Sequence, residues 1–149
     1  MGIALNEHEM WDFLASAHTC VLSSIRRDGS PAATPMWSVV HDDALWLRTL
    51  ASSPKAANIR RDDRVCVVAE SGLAWAELKS VVLYGRAIIE ADEETIRAVD
   101  EAFASKYRDF LVPKSAPEAT RAHYAAPRIH IRIAPVGRAL TWDNAKLRR

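Results

Sequence analysis

The chain of 149 residues carries almost no net charge: 20 basic residues stand against 19 acidic ones, a formal +1. General nucleic-acid binding shows a strong basic excess, so that class is not expected. No apolar run reaches the ~20 residues of a membrane span. The opening "MGIALNEHEMWDF" lacks the basic-then-apolar order of a secretory signal. Asn6 stands where N-myristoylation requires Ser or Thr. Metal chemistry lacks its usual spacing too. The five histidines (His8, His18, His41, His123 and His130) form no ligand pattern with each other or with the cysteines. Cysteine is scarce: Cys20 and Cys66 fall in apolar strand-like runs and read as reduced, buried thiols of a cytoplasmic protein. A GxGxxG turn is missing, so a nucleotide, if bound, is not held in the Rossmann manner. No Ser-His-Asp or Cys-His constellation can be assembled. His18 and Cys20 share a strand face across Thr19, but no third partner orients them. No residue is therefore assigned a catalytic role, and an enzyme with such gaps relies on an organic cofactor for its chemistry.

What is present is core. Hydrophobic residues make up 49% of the chain, enough for a single domain over 1–149 without disulfide or metal staples. "NEHEMWDFLASA" reads as a helix, with Asn6 and Glu9 spaced as a capping box. Strands follow at 19–25, 31–40 and 45–49, joined by "RRDGS", where Asp28-Gly29 is a hairpin signal, and by "HDDA". A short helix leads to strands at 64–70 and 79–91. Helices are expected at 92–107, with Asp92 as cap, and at 115–126. Strands at 128–135 and 137–142 close the chain, and the tail "AKLRR" reads as frayed. Six or seven strands in short antiparallel hairpins, flanked by few helices, give a mainly β, α+β chain with a closed or nearly closed sheet.

The stretch "LRTLASSPKAANIRRDDRV" holds the sharpest local signal. Ser53 is a natural N-cap and Pro54 takes the first helical position. Free N–H groups at that end favour an anion. Lys55 lies in the first turn, where a cation opposes the helix dipole by a few tenths to about 1 kcal/mol. A bound anion reverses that sign. Arg48 and Thr49 end the preceding strand, so Arg48, Thr49, Ser53 and Lys55 can converge on one phosphate. Arg60 and Arg61 match the dipole at the other end and need no ligand. Beside this lies "TPMW": Pro35 within a strand implies an edge or irregularity, and the backbone from Thr34 to Trp37 can address a ligand's polar edge. Trp37 serves equally well as core packing. Trp75 lies in a loop, where tryptophans cap ligands and interfaces or close a core. Gly85 in mid-strand marks a bulge or a close backbone approach.

Four motifs occur in order: "RxDGxPxxTPMW", "LWLRTxxxSPKAxNIRRDxRV", "WAELxxVVLYGRA" and "RIHIRIxPxxxxxxW". Over about residues 7–143 the chain resembles the pyridoxamine 5'-phosphate oxidase-like proteins, also called flavin/deazaflavin oxidoreductases. The resemblance implies a split β-barrel, antiparallel, assembled as a homodimer with the cofactor at the interface. That cofactor would be FMN or, alternatively, the deazaflavin coenzyme F-420. By resemblance, Arg48, Thr49, Ser53 and Lys55 hold its phosphate. Thr34, Pro35, Met36 and Trp37 lie along its isoalloxazine, Trp75 comes from the partner subunit, and Trp142 lines the site. The function implied is hydride transfer with a small conjugated substrate. The alternative is a non-catalytic flavin or haem carrier on the same barrel, with His123 or His130 as the first haem ligands to test. The vitamin B6 oxidases have an extended C-terminal region that binds pyridoxal phosphate. This chain stops at Arg149, so oxidation of pyridoxamine phosphate itself is not expected. Asp63 replaces the family's commoner proline in "RRDDRV".

Overall fold

In the computed structural model, which describes residues 2–148, local sequence chemistry sets the element ends. Helix α1 (Glu7–Ser16) starts at Asn6, whose Oδ1 accepts from Glu9 N while Glu9 Oε2 accepts from Asn6 N, a complete capping box. Strands β1 (Cys20–Ile25) and β2 (Pro31–Met36) form a hairpin. In its turn Gly29 takes φ +84° and Asp28 Oδ1 accepts from both the backbone and the hydroxyl of Ser30. Strands β3 (Ser38–His41) and β4 (Ala44–Leu50) pair through a two-residue turn. Asp42 and Asp43 there have φ of 50° and 54°, the left-handed pair that a tight hairpin demands.

Helix α2 (Pro54–Arg61), strand β5 (Arg64–Ser71) and strand β6 (Lys79–Ile89) follow. Then come α3 (Glu93–Lys106), α4 (Glu118–Tyr124), β7 (Arg128–Pro135) and β8 (Leu140–Asp143). The strands make one antiparallel sheet in the order β2-β1-β5-β6-β7-β4-β3, with β8 beside the start of β6. Its two edges, β2 and β3, are consecutive in the chain and separated by Trp37 alone. One residue reaches only a few ångströms. The sheet therefore has to curl until its edges meet end to end, which is the split barrel.

Strand alternation divides the side chains cleanly. Leu22, Val67, Val81, Leu83, Ile131, Ile133, Leu45 and Leu47 point inward and are almost fully buried, with Phe13 and Leu14 of α1 packed among them. Among the described residues the other face is covered at its β3–β4 end, where Val99, Phe103 and Tyr107 meet Val39 and Trp46. Toward β5 and β6 that outer face keeps Cys66, Val68 and Val82 partly exposed and Tyr84 exposed.

Several expectations need correction. Residues 31–40 are two strands, because the chain crosses from one sheet edge to the other at Trp37. The last strand begins at Leu140, where pairing with β6 starts, and not at residue 137. The helix read over 115–126 shrinks to α4, which buries no residue. Trp75–Glu77 is a turn of 3-10 helix within the expected loop. The described part of the basic tail is tied down rather than frayed: Lys146 Nζ reaches Glu9 Oε2 at 2.6 Å and donates to Ala4 O at 2.9 Å, while Arg149 lies outside the described residues. Gly85 is the close approach anticipated, since a Cβ there would stand 2.6 Å from Ala134 O. No helix among the described residues is long and apolar enough to cross a membrane.

Candidate active site

The end of β4, the start of α2 and the seam at Trp37 open onto one cleft of about 910 Å³. At its α2 side, Ser53 Oγ accepts from Ala56 N at 3.2 Å and lies 3.1 Å from Thr49 Oγ1. Pro54 has no N–H and Ala57 N donates to Ser53 O at 3.2 Å, so with Ala56 N capped the first turn keeps one backbone donor, Lys55 N, without a partner among the described residues. Lys55 is half-buried, lines the cleft and joins no salt bridge among the described residues. A cation held beside the positive end of a helix lacks its counter-charge, so this corner suits an anion.

Arg48 is positioned differently. Its Nη1 donates to Asp100 Oδ1 at 2.7 Å, and its guanidinium lies 4.4 Å from the centre of the Phe103 ring. His130 Nε2 stands 2.8 Å from the same Asp100 oxygen. Burial works against the Asp100 charge, but hydrogen bonds from His130 and Arg48 outweigh it and hold the carboxyl below its ordinary range. Arg48 thus faces the cleft as one member of a triad tying β4, α3 and β7 together. Arg128, at the start of β7, also lines the cleft and donates through Nη2 to Tyr124 O. Burial first, then the Arg48 charge, pushes its guanidinium below the ordinary value, with Asp100 acting the other way.

Trp37 forms the aromatic wall. It stacks on Tyr107 at 4.3 Å with the rings 3° from parallel, and His18 stands edge-on to both. Tyr107 is fully buried. Its hydroxyl accepts from Ser38 N at 3.0 Å and faces the carbonyls of His18 and Ser38 at 2.7 and 2.9 Å. Lys106 Nζ adds hydrogen bonds to Ala17 O and Ser38 O, both 2.7 Å. The seam residue is therefore braced from behind by α3.

Seven of the nine sequence-nominated residues share this cleft: Pro35, Met36, Trp37, Arg48, Thr49, Ser53 and Lys55. Thr34 lines an adjoining recess of about 420 Å³ with Arg26 and Asn58, across Pro54 and Lys55. Trp75 is outside the cleft of its own chain, its residue 65% exposed. Trp142 pairs with Ser80 in the sheet and is likewise outside. His130 has its Nε2 committed to Asp100, whereas His123 lines the cleft. Sequence reasoning missed Asp100, Tyr107, Arg128 and the apolar run Phe110-Leu111-Val112. Val99, Phe103 and Tyr107 at intervals of four announce a buried face of α3, which is the one signal that pointed there. Among the described residues no group of three His, Cys, Asp or Glu is placed to hold a metal ion.

A conserved hypothetical protein of Mycobacterium tuberculosis, Rv2991, is 33% identical, with 99% of this chain and 90% of that one covered and a TM-score of 0.83. An FAD-binding protein of Mesorhizobium loti superposes at 22% identity, 91% and 94% coverage and a TM-score of 0.68. An FAD-binding protein of Mycobacterium smegmatis does so at 19%, 94% and 98%, and 0.67. These last two support the fold alone. No curated protein gave a match. The family model described as pyridoxamine 5'-phosphate oxidase matches residues 6–136, which spans β1 to β7 and every residue lining the cleft, and the chain belongs to that family.

Proposed function

We propose that the protein is a homodimeric flavin-type oxidoreductase that binds FMN, with the deazaflavin coenzyme F-420 as the alternative, and passes hydride to or from a small conjugated substrate. The observation that carries this reading is the half-buried Lys55 at the N-terminus of α2, unpaired among the described residues, beside a cleft walled by the braced Trp37. The residues fit a phosphorylated flavin. Ser53, Thr49 and Lys55 would take its phosphate, Arg48 would add charge from the middle of the cleft, and Pro35 to Trp37 would lie along its ring. When bound, the cofactor supplies the hydride chemistry. The chain's own work is to bind the anion, orient the ring against Trp37 and keep Arg48 aimed through Asp100. Two structural relatives are named FAD-binding proteins, a cofactor class that the proposed flavin would match.

Dimerisation is supported by the uncovered outer face of β5 and β6 and by Leu73 and Trp75, which project from the β5–β6 loop at 99% and 65% exposure. In the proposed dimer the exposed Trp75 would enter the partner's cleft. Titration with FMN, followed by quenching of its fluorescence, tests the site. Lys55→Glu should weaken binding about ten- to hundredfold, the equivalent of a lost charge-assisted hydrogen bond of about 1.5–3 kcal/mol. Unchanged affinity removes the phosphate assignment, and a monomer by light scattering removes the interface. Reoxidation of the reduced, protein-bound cofactor by conjugated acceptors separates an enzyme from a carrier.

A further inference from the structure

We propose that the cleft wall formed by Phe110, Leu111, Tyr124 and Arg128 is a second-ligand site for a small aromatic anion, with its ring against Phe110, Leu111 and Tyr124 and its acidic group on Arg128. It rests on the proposed function only in making that ligand the substrate beside the cofactor. Phe110, Leu111, Val112 and Tyr124 are all exposed, by 56%, 53%, 42% and 48%, and all line the one cleft. None of them is needed by the core, and α4 buries no residue. Apolar side chains left in water along one concave wall form a ligand surface. His18 stands edge-on to Phe110 at 4.6 Å, which fixes that ring in place.

Charge specifies the rest of the ligand. Arg48 and Arg128 share the neighbourhood of a single carboxylate, Asp100, and Asp100 is already engaged by Arg48 and His130. Arg128 joins no salt bridge among the described residues, and its hydrogen bond goes to the neutral Tyr124 carbonyl. A guanidinium has five N–H donors in a planar fork, so most of its capacity remains for a carboxylate. The surplus is one positive charge beside an apolar platform, apart from the Lys55 charge on α2. A cleft of about 910 Å³ is at the upper end for one small ligand and leaves room for two.

The test uses a matched pair of fluorescent probes, 2-naphthoate and its neutral isostere 2-naphthamide, titrated into the full chain with and without saturating FMN. Naphthoate should bind about tenfold tighter than naphthamide. Arg128→Gln should abolish that preference without weakening naphthamide, and Arg128→Lys should restore part of it. The double variant Phe110→Ser/Leu111→Ser, both exposed positions, should weaken the two probes alike. An unchanged naphthoate preference in Arg128→Gln overturns the proposal, as does competitive displacement of naphthoate by FMN. If FMN fails to bind while naphthoate still follows Arg128, the cofactor reading falls and the aromatic-anion site stands.

Discussion

Replacing Tyr107 with Phe removes one oxygen from a fully buried side chain and leaves its ring in place. Three backbone groups lose a neighbour, but not equally. Ser38 O keeps Lys106 Nζ at 2.7 Å. His18 is an exposed residue, so water can reach its carbonyl. Ser38 N is the orphan: it donates at 3.0 Å to the Tyr107 hydroxyl, and Ser38 is 1% exposed. Leaving a buried donor unpaired costs about 1–3 kcal/mol, and no sizeable cavity adds to it. Urea denaturation should therefore show a loss near 2 kcal/mol. At this chain length that is a fall in Tm of about 4–8 °C. FMN affinity should stay within a few-fold, because the 4.3 Å stack behind Trp37 needs the ring and not the hydroxyl. A stability loss below about 0.5 kcal/mol would refute the claim that this hydroxyl completes the seam.

Gly85→Ala places a methyl 2.6 Å from Ala134 O and 3.0 Å from Ile133 Cγ2, so β6 and β7 must separate. A loss of about 1–3 kcal/mol is expected by urea titration, and a wild-type midpoint would show that the strands yield freely. Acid sensitivity should appear at the C-terminus of α2. Hydrogen bonds from the Arg64 side chain and backbone lower the Asp62 carboxyl to about 2. A depressed carboxylate contributes stability above its unfolded value of about 3.9 and loses it as pH falls through the folded one. The denaturation midpoint should accordingly fall between about pH 4 and pH 2, and Asp62→Asn should flatten that fall, the identical slope being the adverse result.

Local chemistry was legible in the sequence wherever one turn of chain decides the outcome. The Asn6 capping box, the Asp28-Gly29 turn and the Ser53-Pro54 helix start all stand where their residues put them. Thr49, Ser53 and Lys55 share one cleft for the same reason, because they are neighbours in the chain. Asp100 was invisible for the opposite reason: its bond to Arg48 spans 52 positions and depends on how α3 docks on the outer face. Residues 31–40 read as one strand because no glycine or turn cluster marks the break at Trp37. Only the order of the sheet reveals that the chain changes edges there. Phe110-Leu111-Val112 carries no periodicity, so an exposed wall leaves no signature that a buried face would.

The insertion of β7 between β6 and β4 has a consequence for synthesis. The β3–β4 hairpin emerges early, yet its inner neighbour is made roughly 80 residues later, about 4–16 s at ordinary elongation rates. Until then Leu45 and Leu47 lack the Ile131 and Ile133 side that completes their packing, and Arg48 lacks His130 across the ladder. The chain up to Ile89 can form the β1–β2 and β5–β6 hairpins, while the cleft has to await α4 and the start of β7. A ribosome stalled before Arg128 would hold a nascent chain with an open, apolar strand edge, the form that a chaperone would meet.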